Sequence, residues 1–542
     1  MTATHLGRAL IGVALGAGLL ATSALAGNLT RNIEGGQISG VPGHDSNILI
    51  YRGIPYAAPP VGSLRWRAPQ PVKRWDGIKT ASSFGAACRG RNFGSIPPEG
   101  MNEDCLYLNV WTPTPSTNPK LPVLVWIHGG GFQGGGGYHP SYEGEAFAKQ
   151  GVVVVTFNYR VGIFGFLAHP ELSQESGVNA SGNYGLLDQL AALRWVQKNI
   201  GNFGGDPDKV TIAGESAGAY SVSALTASPL ARGLFRAAIA ESGGYLVPKH
   251  DAMRTLAQSE KIGLDFAQSV GASDVSHLRA MNADELMKAV EQMPDFFAFQ
   301  PGIDGVFLKE PVYTTYAKHQ QARVPLLIGS NTDEGAFILP PNRATPDELQ
   351  HHLQQTYGDN ATLVRGLYPT DTPAELLRSE LDLYADDGFN YPMWKWAKLQ
   401  SQAGAPVYYY LFGRVLPSLP DQQFRGIPRE AIGAFHGDEV PYVFGNLDLV
   451  PAALDGAPRA GRWQKADYQL SHCMLTYWAN FVKAGNPNGG TLPPWPAYED
   501  KGDNRLMHFD QAPEARPDSR TSRMQVLDRA FQPQLAKVAG GV

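Results

Sequence analysis

The chain has 542 residues, 43% of them hydrophobic and 18% charged, a balance that fits a globular protein and excludes a disordered one. Its formal charge of −5 argues against a nucleic-acid partner, because phosphate binding needs a basic surface. Glycine (61) and proline (41) are plentiful, which predicts many loops, where large folds keep their chemistry.

Residues 1–26 read as an export leader. Arg8 supplies a weakly positive start, an apolar stretch rich in Ala, Gly and Leu follows, and Ala24-Leu25-Ala26 is the small-x-small pattern that a signal peptidase cuts after. The apolar run is short for a bilayer span, and no later stretch is longer. The mature chain is therefore expected to be secreted or periplasmic and soluble, with no stable membrane anchor.

Of three cysteines, Cys88 and Cys105 lie 17 positions apart and are expected to form a disulfide, leaving Cys473 as a single thiol. Cys473 stands in the apolar stretch His472-Cys473-Met474-Leu475 and reads as a buried, inert thiol. No CxxC or HxxxH spacing occurs, so no metal is expected.

Strands are expected at 122–127, 151–157, 210–213, 237–239, 325–328 and 407–411, with a helix over 185–199 whose Leu186, Leu187, Leu190, Leu193 and Val196 share an apolar face. Strands alternating with helices predict an α/β chain, a large, mostly parallel sheet flanked by helices. Two polar, helix-rich segments near 249–321 and 345–404 interrupt the strands and read as cap-like insertions. Strands recur on both sides of them, so 27–542 is expected to form one catalytic domain.

The strand at 210–213 runs straight into Gly214-Glu215-Ser216-Ala217-Gly218, a G-x-S-x-G pattern. A strand that turns sharply into a helix holds such a serine in a strained conformation, and the flanking glycines remove side chains that would collide. Ser216 is thus a candidate nucleophile, and it needs a base and donors for an oxyanion. His128-Gly129-Gly130-Gly131-Phe132 follows the strand at 122–127 and offers the backbone N–H groups of Gly130 and Gly131 as donors. The N–H of Ala217 would be a third.

These segments together resemble the type-B carboxylesterases, the family that includes liver carboxylesterases and cholinesterases. Phe203-Gly204-Gly205-Asp206-Pro207 leading into the serine pentapeptide is similar to the family's extended serine signature, and Glu103-Asp104-Cys105-Leu106-Tyr107-Leu108-Asn109-Val110 to its second signature. Gly53-Ile54-Pro55-Tyr56-Ala57, Asn158-Tyr159-Arg160 and Asn486-Pro487-Asn488 are similar to further family segments. The likeness runs from about Tyr51 to Pro496, and it implies an α/β-hydrolase fold and hydrolysis of small-molecule carboxylic esters with no cofactor.

Chain order in that fold is serine, acid, histidine. Asp333-Glu334-Gly335 follows the strand at 325–328, and chemistry alone does not choose between its two carboxylates. The family's D-E-G-x-F pattern assigns the acid to Glu334 and leaves Asp333 a hydrogen-bonding role in the loop. Among 13 histidines, His436 in Phe435-His436-Gly437-Asp438-Glu439 resembles the family's histidine loop. Its main competitor, His128, precedes the serine and begins the glycine loop. The resemblance also places Glu215, and with it Ser242 of Glu241-Ser242-Gly243, in a buried polar network beside the site.

The resemblance leaves rival functions to weigh. Cholinesterase-like domains that only bind partners usually lack a triad member, whereas all three positions are intact here. Amidase, thioesterase and lipase activities are nearer rivals. Cholinesterases stack the choline cation on a tryptophan between their first two cysteines; the loop 89–104 here has no tryptophan, and Phe93 is its only aromatic residue. Arg89 and Arg91 of this loop read equally well as entrance residues, which would repel a cation, and as plain surface charges. The expected preference is for neutral esters, or esters bearing a carboxylate, over choline esters.

Overall fold

The apolar run that begins at Leu121 lies in the middle of an 11-stranded sheet in the computed structural model of the chain. The structure describes residues 29–114, 120–247, 253–339, 344–417, 423–424, 427–428, 432–450, 463–500 and 504–539. The export leader expected at 1–26 lies outside the described residues.

The strands of this sheet are Val41–Pro42 (β1), Ile48–Pro55 (β2), Tyr107–Pro113 (β3), Leu121–Ile127 (β4), Val153–Phe157 (β5), Gly205–Glu215 (β6), Ala237–Glu241 (β7), Leu326–Asn331 (β8), Val407–Phe412 (β9), Arg505–Phe509 (β10) and Pro513–Pro517 (β11). Their spatial order is β11-β10-β9-β8-β7-β6-β4-β5-β3-β2-β1. From β10 to β5 all neighbours are parallel, and antiparallel strands close both edges.

A parallel strand covered on both faces is apolar at nearly every position, which is why these segments read as near-continuous apolar runs. Along β4, Val123, Val125 and Ile127 enter one core while Leu124 and Trp126 enter the other. Helices Tyr184–Asn199 (α1), Ala217–Ala227 (α2) and Tyr391–Gln402 (α3) contribute Leu190, Val222 and Trp396 to the first core. Helix Lys465–Ala484 (α4) contributes Met474, Trp478 and Phe481 to the second. Each such side chain is worth about 1.5–3 kcal/mol on burial.

Between β7 and β8 lie helices Leu256–Ser269, Val275–Ala280, Ala283–Glu291 and Val312–Ala317. Between β8 and β9 lie Pro346–Tyr357, Ala361–Arg365 and Pro373–Ala385, then a wide π-helical turn, Asp386–Asn390, that leads directly into α3. Three of these helices begin with reciprocal capping boxes, Thr255 with Gln258, Thr345 with Glu348 and Thr372 with Glu375, so their starts are encoded locally. Helix α3 falls within the segment expected to be cap-like, yet its Met393 and Trp396 are fully buried in the core, so it forms part of the sheet's helical layer.

Cys88 and Cys105 are joined by a disulfide, with their Cα atoms 4.9 Å apart. Cys473 is free and, contrary to the expectation of full burial, only half-buried on α4; what burial it has raises its thiol pKa and keeps it protonated. Among the described residues no helix is long and apolar enough to cross a membrane.

Candidate active site

The chain's candidate chemistry gathers at the C-terminal ends of β4, β6, β7 and β8, the edge where parallel sheets bind ligands. Ser216 sits between β6 and α2 with φ 55° and ψ −124°, a conformation that costs a non-glycine residue energy. Its neighbours explain how the turn is possible. A Cβ on Gly218 would fall 2.0 Å from the carbonyl oxygen of Ile127, and one on Gly214 would fall 2.5 Å from the backbone of Gly218. The Ser216 amide donates to the Glu241 carbonyl (2.9 Å), and its own carbonyl accepts from the Tyr220 amide (2.9 Å). The strained residue is thereby held from both sides.

The glycine loop after β4 closes on this turn. A Cβ on Gly129 would meet the Ser216 Cβ at 3.2 Å and a Glu215 oxygen at 2.7 Å. Gly130 and Gly131 both have positive φ (100° and 59°), and their amides donate to no acceptor among the described residues. Ala217 opens α2, so its amide is one of the helix's unpaired N-terminal donors. His128 is buried and stacks on Tyr159 with ring centroids 4.2 Å apart, and the Tyr159 hydroxyl donates to the His128 carbonyl (2.9 Å). Burial pushes the His128 pKa down to about 4, so this imidazole stays neutral and serves the loop's shape.

His436 is bonded through Nδ1 to Oε2 of the fully buried Glu334 at 2.6 Å. A carboxylate only accepts, so Nδ1 carries a proton, and in the neutral imidazole Nε2 then holds the lone pair. The other Glu334 oxygen, Oε1, accepts from the Ser242 hydroxyl (2.5 Å) and the Asn331 amide (2.7 Å), which fixes the carboxylate's orientation. Asp333 points elsewhere. It pairs with Arg378 (2.7 Å) and accepts from the Thr332 hydroxyl and the Ala434 amide, tying two loops together. Phe337 stacks on the imidazole at 4.5 Å between centroids, and Phe389 lies against it at 4.6 Å.

Glu215 is buried, and its Oε1 lies 3.1 Å from His436 Nε2, outside hydrogen-bonding direction. Burial drives the Glu215 pKa up to about 7; the nearby His436 pulls it down, and Glu334 adds to the rise. Behind it, Glu241 is raised to about 8 by burial, against a bond from the Trp478 indole (2.7 Å). Burial likewise raises Glu439, helped by the charges of Glu241 and Glu215, while the Asn331 amide group donates to it (2.5 Å).

The sequence reading did not single out Glu241, Glu439, Asn331, Phe337 or Phe389. Two of them adjoin recognised motifs, Glu241 in Glu241-Ser242-Gly243 and Glu439 in His436-Gly437-Asp438-Glu439, and Phe337 is the aromatic position of Asp333-Glu334-Gly335-Ala336-Phe337. Phe389 had no local signal, because the π-helical turn alone carries it to His436.

A mixed, mostly parallel sheet with a strained serine at a strand-to-helix turn, and a glutamate-bound histidine against the Glu215 that precedes this serine, defines an α/β-hydrolase of the serine hydrolase class. The chain belongs to the carboxylesterase family, whose pattern matches residues 28–527. It is 39% identical over 492 residues to a fumonisin B1 esterase from Sphingopyxis macrogoltabida, covering 89% of this chain and 86% of that protein. It is 38% identical over 504 residues to a para-nitrobenzyl esterase from Bacillus subtilis (strain 168), covering 88% and 95%. The structure superimposes on a solved PNB esterase with a TM-score of 0.77 at 35% identity, covering 92% of this chain and 100% of that one. A Geobacillus stearothermophilus carboxylesterase gives 0.78 at 32% identity, covering 93% and 100%.

Proposed function

We propose that the protein hydrolyses carboxylic esters by two-step acyl transfer on Ser216. The Ser216 oxygen attacks the ester carbonyl carbon while His436 Nε2 takes its proton, and Glu334 holds the imidazole in the required tautomer. The amides of Gly130, Gly131 and Ala217 receive the oxyanion. His436 returns the proton to the departing alcohol; water then attacks the acyl-serine with His436 again as base. The observation that carries this reading is the 2.6 Å bond from His436 Nδ1 to a buried carboxylate, which leaves Nε2 free to act as base. An organophosphate should label Ser216 alone, and Ser216→Ala should lose ester turnover by about 10⁴-fold or more. An active Ser216→Ala protein refutes the assignment.

We infer that neutral esters, or esters bearing a carboxylate, are favoured over choline esters. The loop 89–104 offers no tryptophan to a quaternary ammonium, which forfeits about 0.5–2 kcal/mol. Acetylthiocholine should show no advantage in kcat/KM over its uncharged dimethylbutyl isostere; a preference of about tenfold overturns the inference.

Residues 1–26 are inferred to be a cleaved export leader. The Cys88–Cys105 disulfide supports this, since such bonds persist in oxidising compartments. The exported protein should begin at Gly27, which N-terminal mass analysis reads directly.

A further inference from the structure

Four phenylalanines stand exposed among the described residues, Phe93, Phe296, Phe297 and Phe337. All four connect to the rim of the candidate site. Phe337 stacks on His436, and the Phe297 ring edge lies 3.1 Å from where a Gly131 Cβ would stand, against the glycine loop. Phe296 packs edge-on against Phe297, with centroids 4.8 Å apart. Phe93 lies 3.0 Å from a Cβ on Gly134, the residue that bridges to the Arg91 backbone. Exposed phenylalanines set along one mouth offer an apolar surface to a ligand.

Three arginines stand near this rim, and two have their charge met. Arg89 is ion-paired with Asp284, and Arg254 pairs with Asp295 at 2.7 Å while donating to the Phe297 and Ala298 carbonyls. Arg91 differs. Its guanidinium lies over the Phe296 ring at 4.2 Å, and no carboxylate among the described residues comes within ion-pair distance. Its Nε, like that of Arg89, is buried without a hydrogen-bond partner, so the unmet charge is what sets Arg91 apart. It lines a hollow shared with Phe93, Met287 and Phe296, in which Arg89 and Glu291 also stand, Arg89 with its charge met by Asp284. A planar guanidinium fixed over a ring presents its donors in a fork that matches a carboxylate.

We propose that Arg91 is a specificity-determining residue that binds a carboxylate at the far end of the substrate, so that the preferred substrates are esters whose apolar chain crosses the phenylalanine rim and ends in a carboxylate. This rests on Ser216 as the nucleophile. It deepens the preference inferred above by choosing one of its two substrate classes and naming the residue that selects it. The chain lies on Phe296 and Phe297, and its terminal carboxylate exchanges water for the Arg91 fork.

The test compares two p-nitrophenyl esters of one medium-length dicarboxylic acid, the free acid and its neutral methyl ester, by the ratio of their kcat/KM values. Arg91→Gln should lower the acid-to-neutral ratio by about fivefold or more, mainly through KM, and Arg91→Glu should lower it further. Lys261→Gln, which removes a surface charge paired with Asp265 and lying outside the hollow, should leave the ratio in place. A ratio unchanged by both Arg91 substitutions overturns the proposal and makes Arg91 a support for the Phe296 ring. Failure of the unsubstituted protein to hydrolyse either ester sinks the hydrolase mechanism instead, so the two failures are distinct.

Discussion

The Glu215 carboxylate lies 3.1 Å from Nε2 of His436, at the opposite edge of the ring from the nitrogen that Glu334 holds. The imidazole therefore sits between two acids. Burial opposes its protonation, but the charges of Glu215 and Glu334 outweigh burial and hold its pKa above the ordinary value. A general base must be neutral, so activity should rise with pH through this raised pKa. Glu215→Gln removes one of the two charges that favour the imidazolium, so the acid limb of the kcat/KM profile should move to lower pH. A limb that stays or moves upward would show that Glu215 does not act on the base.

The Ser242–Glu334 bond predicts a graded loss. Ser242→Ala strips Oε1 of one of its two donors while leaving the His436 contact in place, and kcat should fall by about tenfold. Glu334→Gln removes the charge that stabilises the imidazolium and should cost more, yet less than Ser216→Ala. Ester turnover measured across the three variants should preserve that order; a Ser242→Ala loss as large as that of Ser216→Ala contradicts it.

Gly218→Ala should be severely destabilising. The new methyl would stand 2.0 Å from the Ile127 carbonyl oxygen, a backbone atom in the middle of the sheet that cannot rotate away. Relief requires α2 to shift from β4, at a cost of about 3 kcal/mol. The urea midpoint measures this, and a midpoint unchanged from the parent protein would falsify the steric account.

Removing the disulfide by Cys88→Ser with Cys105→Ser should lower stability by about 3 kcal/mol, since the bond closes a short loop. Peptide mapping of the parent protein without reductant should recover the Cys88–Cys105 link and one free thiol, Cys473. Alkylation of all three cysteines in the native protein is the opposing result.

Local sequence determined the parts whose physics is local. Gly214 and Gly218 flank Ser216 because the turn admits no Cβ there, and such a constraint is written within five residues. Near-continuous apolar runs announce parallel strands because both faces are covered, and the capping boxes mark helix starts for the same short-range reason. The choice between Asp333 and Glu334 was different in kind. The residues alone left it open; a family pattern favoured Glu334, and in the structure Glu334 bonds His436 while Asp333 turns to Arg378.

Only the tertiary structure decided what surrounds the imidazole. Glu215 and Glu241 meet because β6 and β7 pair in a register that sets these two residues side by side, and Trp478 reaches Glu241 across 237 positions of chain. Phe389 arrives on a π-helical turn, and Phe296 and Phe297 on a loop that Arg254 holds, so neither the stacking on His436 nor the rim around Arg91 has a periodicity to betray it. A carboxylate's pKa depends on the solvent and charges around it in space, and sheet register sets those between residues far apart in the chain.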